Sequence, residues 1–225
     1  VVKTLHLLGI ITSALPKTRF IFSSSAATYG VPVASLSCQE TDTLKPISPY
    51  GESKMMVEQI LAAYHQAYGL DYVAFRYFNA CGADPQARHG QEAGATHIIA
   101  RVLESVRDDQ EFVLNGNDYD TADGTCVRDY VHVSDIARAH VLALSKSIPA
   151  GVYNLGSNNG TSNQEIISAA ERITGQQVKV VQGSKRPGDP GVLVASAAKF
   201  GILHKDWRKY TLDDMIQHAW NWYNV

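Results

Sequence analysis

Two short apolar runs, separated by a helical pattern, constrain the fold of this chain more than any other feature. Residues 19–24 and residues 71–78 have the length and apolar character of buried strands. Between them, residues 50–68 carry apolar side chains at helical spacing, with Pro49 at the entrance and Gly69 just past the end. A strand, helix, strand order of this kind predicts a parallel sheet whose faces are covered by helices.

The first residues already show helical spacing. The apolar stripe consists of Val1, Leu5, Leu8, Ile11 and Leu15. No Ser, Thr, Asp or Asn precedes it as a helix cap, so we expect a helix over 1–15 that is running at the first residue. The sequence is therefore expected to be part of a longer protein.

The composition of the chain changes after Asn79, where Gly, Asp and Pro residues indicate a long loop and a domain change. Beyond it, short strands are predicted at 112–114, 130–133, 152–155 and 178–182, and helices at about 95–107, 134–147, 162–174 and 211–223. Two sets of residues, 162–165 and 211–214, have the spacing of capping boxes. The expected fold class is α/β.

Composition excludes several classes of function. A chain of 225 residues with 45% hydrophobic side chains can bury a sizeable core. The net charge is −2 and no stretch concentrates Lys and Arg, so nucleic acid is not an expected partner. No apolar run approaches the ~20 residues that span a bilayer, so no membrane is expected either. Cys38, Cys81 and Cys126 are widely spaced, which is typical of reduced thiols in a cytoplasmic protein.

Tyr50 and Lys54 are four residues apart near the start of the 50–68 helix, which places both side chains on one face. A free phenol has a pKa of ~10 and is a poor base, but a nearby ammonium stabilises the phenolate. Such a pair can exchange a proton with an alcohol. Alone the spacing is weak, because a chain rich in Tyr and Lys often contains it by chance.

Ser23, Ser24 and Ser25 follow the first predicted strand, at the end where α/β proteins place their sites. A Ser run at the end of a strand is more often turn chemistry. The functional interpretation is that Ser25 hydrogen-bonds the same substrate oxygen as Tyr50. Other chemistries have less support, since no Gly-x-Ser-x-Gly elbow occurs and the His and Cys residues lack metal-ligand spacing. No metal is expected.

A strand ending in three Ser residues, followed by Tyr50-x-x-x-Lys54, resembles the extended short-chain dehydrogenases/reductases. Further motifs narrow the resemblance to the family of UDP-glucose 4-epimerases. They are FIFSSSAATYG at 20–30, PYGESK at 49–54, RYFN at 76–79, GNDY at 116–119, DGT at 123–125, VRDYVHV at 127–133 and YNLG at 153–156. The motifs lie in the family's order and extend over essentially the whole chain.

The resemblance implies a partial Rossmann-type, doubly wound parallel sheet plus a smaller α/β substrate-binding domain. Residues 1–78 would be the C-terminal portion of an NAD-binding domain. Residues 79–225 would mainly bind a UDP-sugar, with about 130–156 packing back on the first domain. The implied reaction is NAD-dependent inversion at C4 of a UDP-hexose through a 4-keto intermediate, in a cytoplasmic homodimer.

The resemblance also assigns roles to single residues. Tyr50 would be the acid/base, Lys54 its partner and a ligand of the nicotinamide ribose, and Ser25 the partner of the sugar O4. The other cofactor contacts would be Ser23, Ser24, Tyr77 and Phe78. The other substrate contacts would be Asn79, His97, Arg128, Arg186, Asp189 and Leu193. Arg128, Arg186 and His97 also have an ordinary interpretation, as ion-pair or structural residues.

One family feature is absent from these residues, namely the Gly-x-x-Gly-x-x-Gly turn that holds the dinucleotide pyrophosphate. Two alternatives stay open. The first is another extended reductase acting on nucleotide sugars, such as a UDP-N-acetylglucosamine epimerase, a uronate epimerase or a dehydratase, although Ser25-Ala-Ala27 lacks the acidic residues of the dehydratases. The second is a non-catalytic nucleotide-binding regulator, although such a protein would usually have lost Tyr50 or Lys54.

Overall fold

The computed structural model describes residues 1–31, 37–145, 147–185 and 188–224. Its helices are α1 (Val2–Ala14), α2 (Pro49–Tyr68), α3 (Ile98–Arg107), α4 (Val133–Ala143), α5 (Asn163–Thr174), α6 (Ala198–Leu203) and α7 (Leu212–Tyr223). Its strands are β1 (Arg19–Ser25), β2 (Asp71–Tyr77), β3 (Asn79–Cys81), β4 (Glu111–Asn115), β5 (Val127–His132), β6 (Gly151–Leu155), β7 (Gly160–Ser162), β8 (Lys179–Gly183) and β9 (Val192–Leu193). The α/β fold class is confirmed.

The main sheet has the order β1-β2-β6 and is entirely parallel. Arg19 pairs with Asp71 at one end of β1 and Ser25 pairs with Tyr77 at the other. Among the residues that the structure describes, β1 has a hydrogen-bonded neighbour on one side only. Within these residues, the other edge of β1 is therefore unpaired.

Helices cover both faces of this sheet, because successive side chains of a strand point to opposite sides. Tyr72 and Ala74 of β2 pack with Leu8 of α1 and with Val57 and Leu61 of α2. The intervening residues of β2 face a second core. That core contains Val73, Phe75, Val131, Ile136, Ala139, Tyr153 and Phe200, contributed mainly by the strands, α4 and α6. The predicted doubly wound arrangement is confirmed.

Two smaller sheets complete the fold. The first joins β3, β5 and β7, with β9 pairing to β5, and the second pairs β4 with β8 in parallel. A third core lies beside them, where α3, α5 and α7 pack against β4 through side chains that include Leu103, Phe112, Ile166 and Ile216. This part of the chain builds the cleft described below.

Several predicted bounds were wrong for identifiable reasons. α4 ends at Ala143 and not near 147, and the carbonyl oxygens of Ala143, Ser145 and Ile148 accept hydrogen bonds from the Arg19 guanidinium instead of continuing the helix. β3 falls in a segment predicted as loop. The short elements β7, β9 and α6 were not predicted, since two to six residues carry little periodicity.

The predicted helix caps are confirmed. Ser162 accepts a hydrogen bond from the Glu165 amide at the start of α5 while the Glu165 side chain bonds back to Ser162, and Thr211 and Asp214 do the same for α7. α2 begins after Ser48, whose hydroxyl accepts from the Gly51 amide. The α2 cap matters for function, because it sets the first turn of the helix that carries Tyr50.

The three cysteines are free and buried, as expected. Burial raises the pKa of the Cys38 thiol to about 11, so it stays protonated at neutral pH. Within the described ranges, no helix has the length and apolar character needed to cross a bilayer.

Candidate active site at the ends of the parallel strands

Tyr50 and Lys54 lie on the first turns of α2, beside the carboxyl end of β1. The Lys54 ammonium donates to the Ser23 carbonyl oxygen at 2.8 Å and lies 5.5 Å from the centroid of the Tyr50 ring. Tyr50 is 55% exposed, so its hydroxyl is open to a ligand from outside the chain. The pairing predicted from the four-residue spacing is therefore present in the structure.

The three serines at the end of β1 face different surroundings. The Ser25 hydroxyl accepts from the Ala27 amide at 3.1 Å, which caps a short 3-10 turn at 26–28. This bond leaves its proton free to be donated to a ligand. The Ser24 hydroxyl is buried and donates to the Glu58 carboxylate. Ser24 is therefore not placed with the other candidate site residues, because strand alternation turns it to the opposite face.

Ser23 and Tyr77 lie on the α4 side of the strand ends, where both approach His140. The Ser23 hydroxyl lies 3.4 Å from Nε2 of His140, whose Nδ1 is 2.9 Å from the Ile136 carbonyl oxygen. Tyr77 is half-buried beside the His140 ring, with their ring centroids 5.9 Å apart. Burial raises the pKa of Tyr77, and the nearby Tyr50 acts in the same direction. His140 was not singled out from the sequence.

Phe78 is almost fully buried, in contrast to the exposed Tyr50. It packs in a small core with Ala26, Tyr29, Cys38 and Ala195, and Leu193 is packed against the same core. Leu193 lies on β9, where it is in register with Arg128 of β5. The pairing brings Leu193 next to both the strand end and the Arg128 strand.

A cleft of about 250 Å³ gathers four of the predicted substrate-binding residues. They are Asn79, His97, Arg128 and Asp189. The cleft also has lining residues that the sequence did not identify, including Arg101, Phe112, Asn115, Cys126 and Asn163. Arg186 lies outside the described residues. The structure thus brings together candidates that are up to 110 positions apart in the sequence.

Arg128 and Asp189 form an ion pair inside this cleft, with Nη2 and Oδ1 2.7 Å apart. Arg128 also donates to the carbonyl oxygens of Val127 and Gly191, which fixes the guanidinium against the backbone. Asn79 donates to the Asp129 carbonyl oxygen at 2.8 Å. The result is a held guanidinium with a neighbouring carboxylate, a combination that suits a phosphate and a sugar hydroxyl.

Asp129 has a structural role despite its position beside Arg128. It is fully buried, and its two oxygens accept from the amides of Ser157 and Ala195 at 2.6 and 3.0 Å. Burial raises the pKa of this carboxyl, opposed by those hydrogen bonds. The carboxylate ties β5 to the turn after β6 and to the segment after β9.

His97 is the residue preceding α3, and its Nδ1 has no hydrogen-bond partner in the described part of the chain. Burial lowers the pKa of His97, which keeps the ring neutral near pH 7. Arg101 lies four residues later and therefore on the same face of the helix. Its guanidinium is 5.3 Å from the centroid of Phe112. The spacing from His97 was the one sequence signal that pointed to Arg101.

A family model described as the NAD dependent epimerase/dehydratase family matches residues 1–156. The chain belongs to this family. The match includes β1, α2 and β2 and so contains the Tyr50 and Lys54 pair. No group of three or more His, Cys, Asp or Glu side chains suited to a metal occurs in the described residues of this family member.

Curated relatives within the epimerase/dehydratase family are UDP-glucose 4-epimerases. The chain is 43% identical over 211 residues to that of Halalkalibacterium halodurans, covering 91% of this chain and 63% of the relative. It is 44% identical over 209 residues to that of Lactobacillus helveticus, covering 90% of this chain and 63% of the relative. The chain thus spans a little less than two thirds of the length of these proteins.

Solved structures show the same fold. The Brucella ovis UDP-glucose 4-epimerase in complex with NAD gives a TM-score of 0.90 at 42% identity, covering 97% of this chain and 68% of that one. The Bifidobacterium longum UDP-glucose 4-epimerase in complex with NAD+ and UDP gives 0.87 at 35% identity, covering 98% and 68%. The UDP-Glc/GlcNAc 4-epimerase of Campylobacter jejuni gives 0.81 at 36% identity, covering 99% and 69%.

Proposed function

We propose that this chain supplies the catalytic pair and most of the nucleotide-sugar site of an NAD-dependent UDP-glucose 4-epimerase. The observation that carries the proposal is the exposed Tyr50 beside Lys54, with Lys54 bonded to the end of β1 that bears Ser25, in a chain that also forms the cleft of Arg128 and Asp189. The family match and the UDP-glucose 4-epimerase relatives support the same reaction. The substrate class is a UDP-hexose.

The residues at the strand ends fit the nicotinamide end of NAD. Lys54 uses one of its three donors on the Ser23 carbonyl oxygen, which leaves the other two for ribose hydroxyls. Tyr77 and the Tyr50 ring offer apolar surface beside it. When bound, NAD supplies the hydride acceptor and donor that the exchange at C4 requires.

The chain's own residues handle the proton and the orientation of the sugar. Tyr50, as the phenolate, accepts the proton of the C4 hydroxyl and returns it after the 4-keto sugar has turned over. Ser25 donates a hydrogen bond to the same oxygen and so fixes its position. Lys54 stabilises the phenolate by its positive charge. Inversion requires a hexose that is free to rotate, which is why the anchors are expected on the nucleotide.

The cleft supplies those anchors. Arg128 is the strongest candidate for the diphosphate, because a guanidinium held by backbone carbonyls offers donors in a fixed geometry. Asp189 can accept from ribose hydroxyls while still neutralising part of the Arg128 charge. Asn79, at the start of β3 and two residues after Tyr77, lines the same cleft. Arg186 is proposed from the sequence motif alone.

We also propose the larger organisation of the protein. Residues 1–78 would belong to the cofactor-binding domain and residues 79–225 mainly to the substrate domain, with β6 of the latter pairing to β2. The active form would be a homodimer in the cytoplasm, where a reducing environment suits the three free, buried cysteines.

The function is tested by assaying the intact protein with NAD for interconversion of UDP-galactose and UDP-glucose, comparing wild type with Tyr50→Phe. Tyr50→Phe should lower kcat by at least about 100-fold while leaving the Kd for UDP within about twofold, because only proton transfer loses its group. Tyr68→Phe, at the other end of α2 and also exposed, is the matched control and should have wild-type kcat. No turnover by the wild type, or full turnover by Tyr50→Phe, refutes the proposal.

A further inference from the structure

A buried ion pair lies directly behind the candidate active site. Arg76 of β2 and Glu58 of α2 are 4% and 5% exposed. The Arg76 Nη2 is 2.5 Å from Glu58 Oε2, and its Nε is 3.0 and 3.1 Å from the two carboxylate oxygens. Removing two charges from water is costly, and replacing such a pair by apolar side chains is often neutral or stabilising. Stability alone therefore does not account for it.

The pair belongs to a hydrogen-bond network that crosses the whole main sheet. Ser24 donates to Glu58, and Arg76 Nη1 donates to the Tyr29 hydroxyl at 2.9 Å, which in turn donates to Asn154 at 2.8 Å. Ser24, Arg76 and Asn154 are register partners on β1, β2 and β6. The network thus joins one residue row of all three strands to α2.

Along the strands, this row comes one residue before the row that bears the candidate site. Ser25 pairs with Tyr77 immediately after Ser24 pairs with Arg76. On the helix, Tyr50, Lys54 and Glu58 are spaced four apart and share one face. Lys54 and Tyr50 are therefore only about 6 and 12 Å along the α2 axis from the carboxylate that is fixed to the sheet.

We propose that Glu58 and Arg76, with Ser24, are positioning residues that set the rotation and height of α2 on the sheet so that Tyr50 and Ser25 reach the same substrate oxygen. The inference rests on the proposed function. A bidentate guanidinium–carboxylate contact fixes direction as well as distance, which an apolar contact does not. A displacement of about 1 Å at the reacting groups can cost about 100-fold in rate.

The chain contains a matched control pair. Arg19 and Asp71 form a bidentate contact at 2.8 and 2.9 Å on the same two strands, at their opposite ends. Arg19 and Ser24 are five positions apart on β1, or about 17 Å. Replacing this pair perturbs the same strands without touching the row behind the site.

The test compares E58M/R76M with R19M/D71M in the intact protein, using the UDP-galactose assay. Both double variants leave no unpaired buried charge. E58M/R76M should lower kcat by about 30-fold or more with KM for the UDP-sugar within about threefold, and R19M/D71M should keep kcat within about twofold. Wild-type kcat in E58M/R76M, or an equal loss of kcat in both variants, overturns the proposal.

A conservative variant serves if the first double variant does not fold. R76K keeps the positive charge but loses the bidentate contact of the guanidinium with the carboxylate. It should give a kcat between those of wild type and E58M/R76M, with unchanged KM. Wild-type kcat in R76K when E58M/R76M cannot be purified overturns the proposal. In either case the thermal midpoint is measured alongside, so that activity loss can be compared at equal loss of stability.

A readout without substrate separates this inference from the proposed function. Amide hydrogen exchange in the first turns of α2 and at Ser25 should be faster in E58M/R76M than in R19M/D71M. If wild type shows no epimerase turnover, the proposed function fails while exchange still reports on α2 placement. If wild type is active and the two double variants exchange and turn over alike, the positioning role alone is refuted.

Discussion

Leu193 is expected to set how much room the proposed sugar pocket offers. It is partly buried against the core of Phe78 and lies in register with Arg128, which lines the cleft. In the family resemblance this position carries an aromatic ring in enzymes restricted to glucose and galactose. A branched aliphatic side chain leaves more space beside the sugar C2.

We therefore expect the intact protein to epimerise UDP-N-acetylglucosamine as well as UDP-glucose. Leu193→Tyr should lower kcat/KM for the N-acetyl sugar by about 10- to 200-fold and change that for UDP-glucose little, because pocket volume discriminates by ~1–3 kcal/mol. Leu193→Met is the control that keeps an aliphatic side chain. Absence of N-acetyl turnover in wild type contradicts the open-pocket interpretation.

His132 gives the stability of the fold a defined pH dependence. The buried ring accepts from the Ser134 amide through Nδ1, so its proton is on Nε2, which donates to Nδ1 of His218 at 3.0 Å. Burial, together with the nearby His218, lowers the pKa of His132 from 6.5 to about 4. Between these values the unfolded chain binds a proton that the folded chain does not.

The free energy of unfolding should therefore fall as the pH is lowered through the range from 6.5 to 4, by about 3 kcal/mol from this residue. Urea unfolding at several pH values measures it. His132→Gln should flatten that part of the curve, whereas His6→Gln, on the exposed face of α1, should not. Parallel curves for wild type and His132→Gln would show that another group is responsible.

Single residues also show where sequence reasoning stops. Tyr50 and Lys54 were selected as candidates from their local spacing, and Ser25 from its position at the end of a predicted strand. Glu58 and Arg76 were not identified from the sequence. They are 18 positions apart on different elements, and in the sequence each looks like an ordinary exposed charged residue. Asn163 and Asn115 were missed for the same reason, since only the folded cleft brings them near Arg128.

At the scale of elements, the long segments were predicted and the short ones were not. α2, α5 and α7 have periodic apolar faces and capping residues that define them locally. β3 and β9 consist of three and two residues whose strand conformation comes entirely from pairing with β5. No local signal identifies such strands.

α1 and α2 together present an apolar surface that neither the sheet nor another described helix covers. Leu7 and Ile10 of α1 and Met56 of α2 are 47%, 60% and 45% exposed. We expect this surface to be the contact of the homodimer proposed above. We expect dimers of the intact protein in light scattering at micromolar concentration, and Ile10→Lys should shift them to monomers.

A matched substitution on another helix controls for surface charge. Ile202 of α6 is 77% exposed, and Ile202→Lys should leave the dimer intact. A wild type that is monomeric at micromolar concentration would reject the dimer contact. Dimers that persist in Ile10→Lys would place the contact on another surface.

At the scale of the whole molecule, the proposed cofactor contacts address only one end of NAD. Tyr50 and Lys54 lie where the nicotinamide ribose is proposed, and no Gly-x-x-Gly-x-x-Gly turn occurs in the 225 residues. Backbone amides of such a turn normally hold the pyrophosphate. The binding energy of these residues for NAD is therefore expected to be small.

Calorimetric titration of these 225 residues with NAD should show no binding tighter than millimolar, while UDP should still bind through the cleft. Asp189→Asn tests whether UDP binds in the cleft. It removes the charge that pairs with Arg128 and should therefore change the UDP affinity. Micromolar NAD affinity would show that the pyrophosphate is held by other groups.

The unpaired edge of β1 has a consequence for handling these 225 residues by themselves in solution. A strand paired on one side only presents a row of free N–H and C=O groups, and any extended segment can add to it. Phe20, Ile21 and Phe22 along that edge favour the β conformation. At high concentration, copies of these 225 residues are expected to associate through their β1 edges. Aggregation, rather than the thermal midpoint, would then limit how far they can be concentrated.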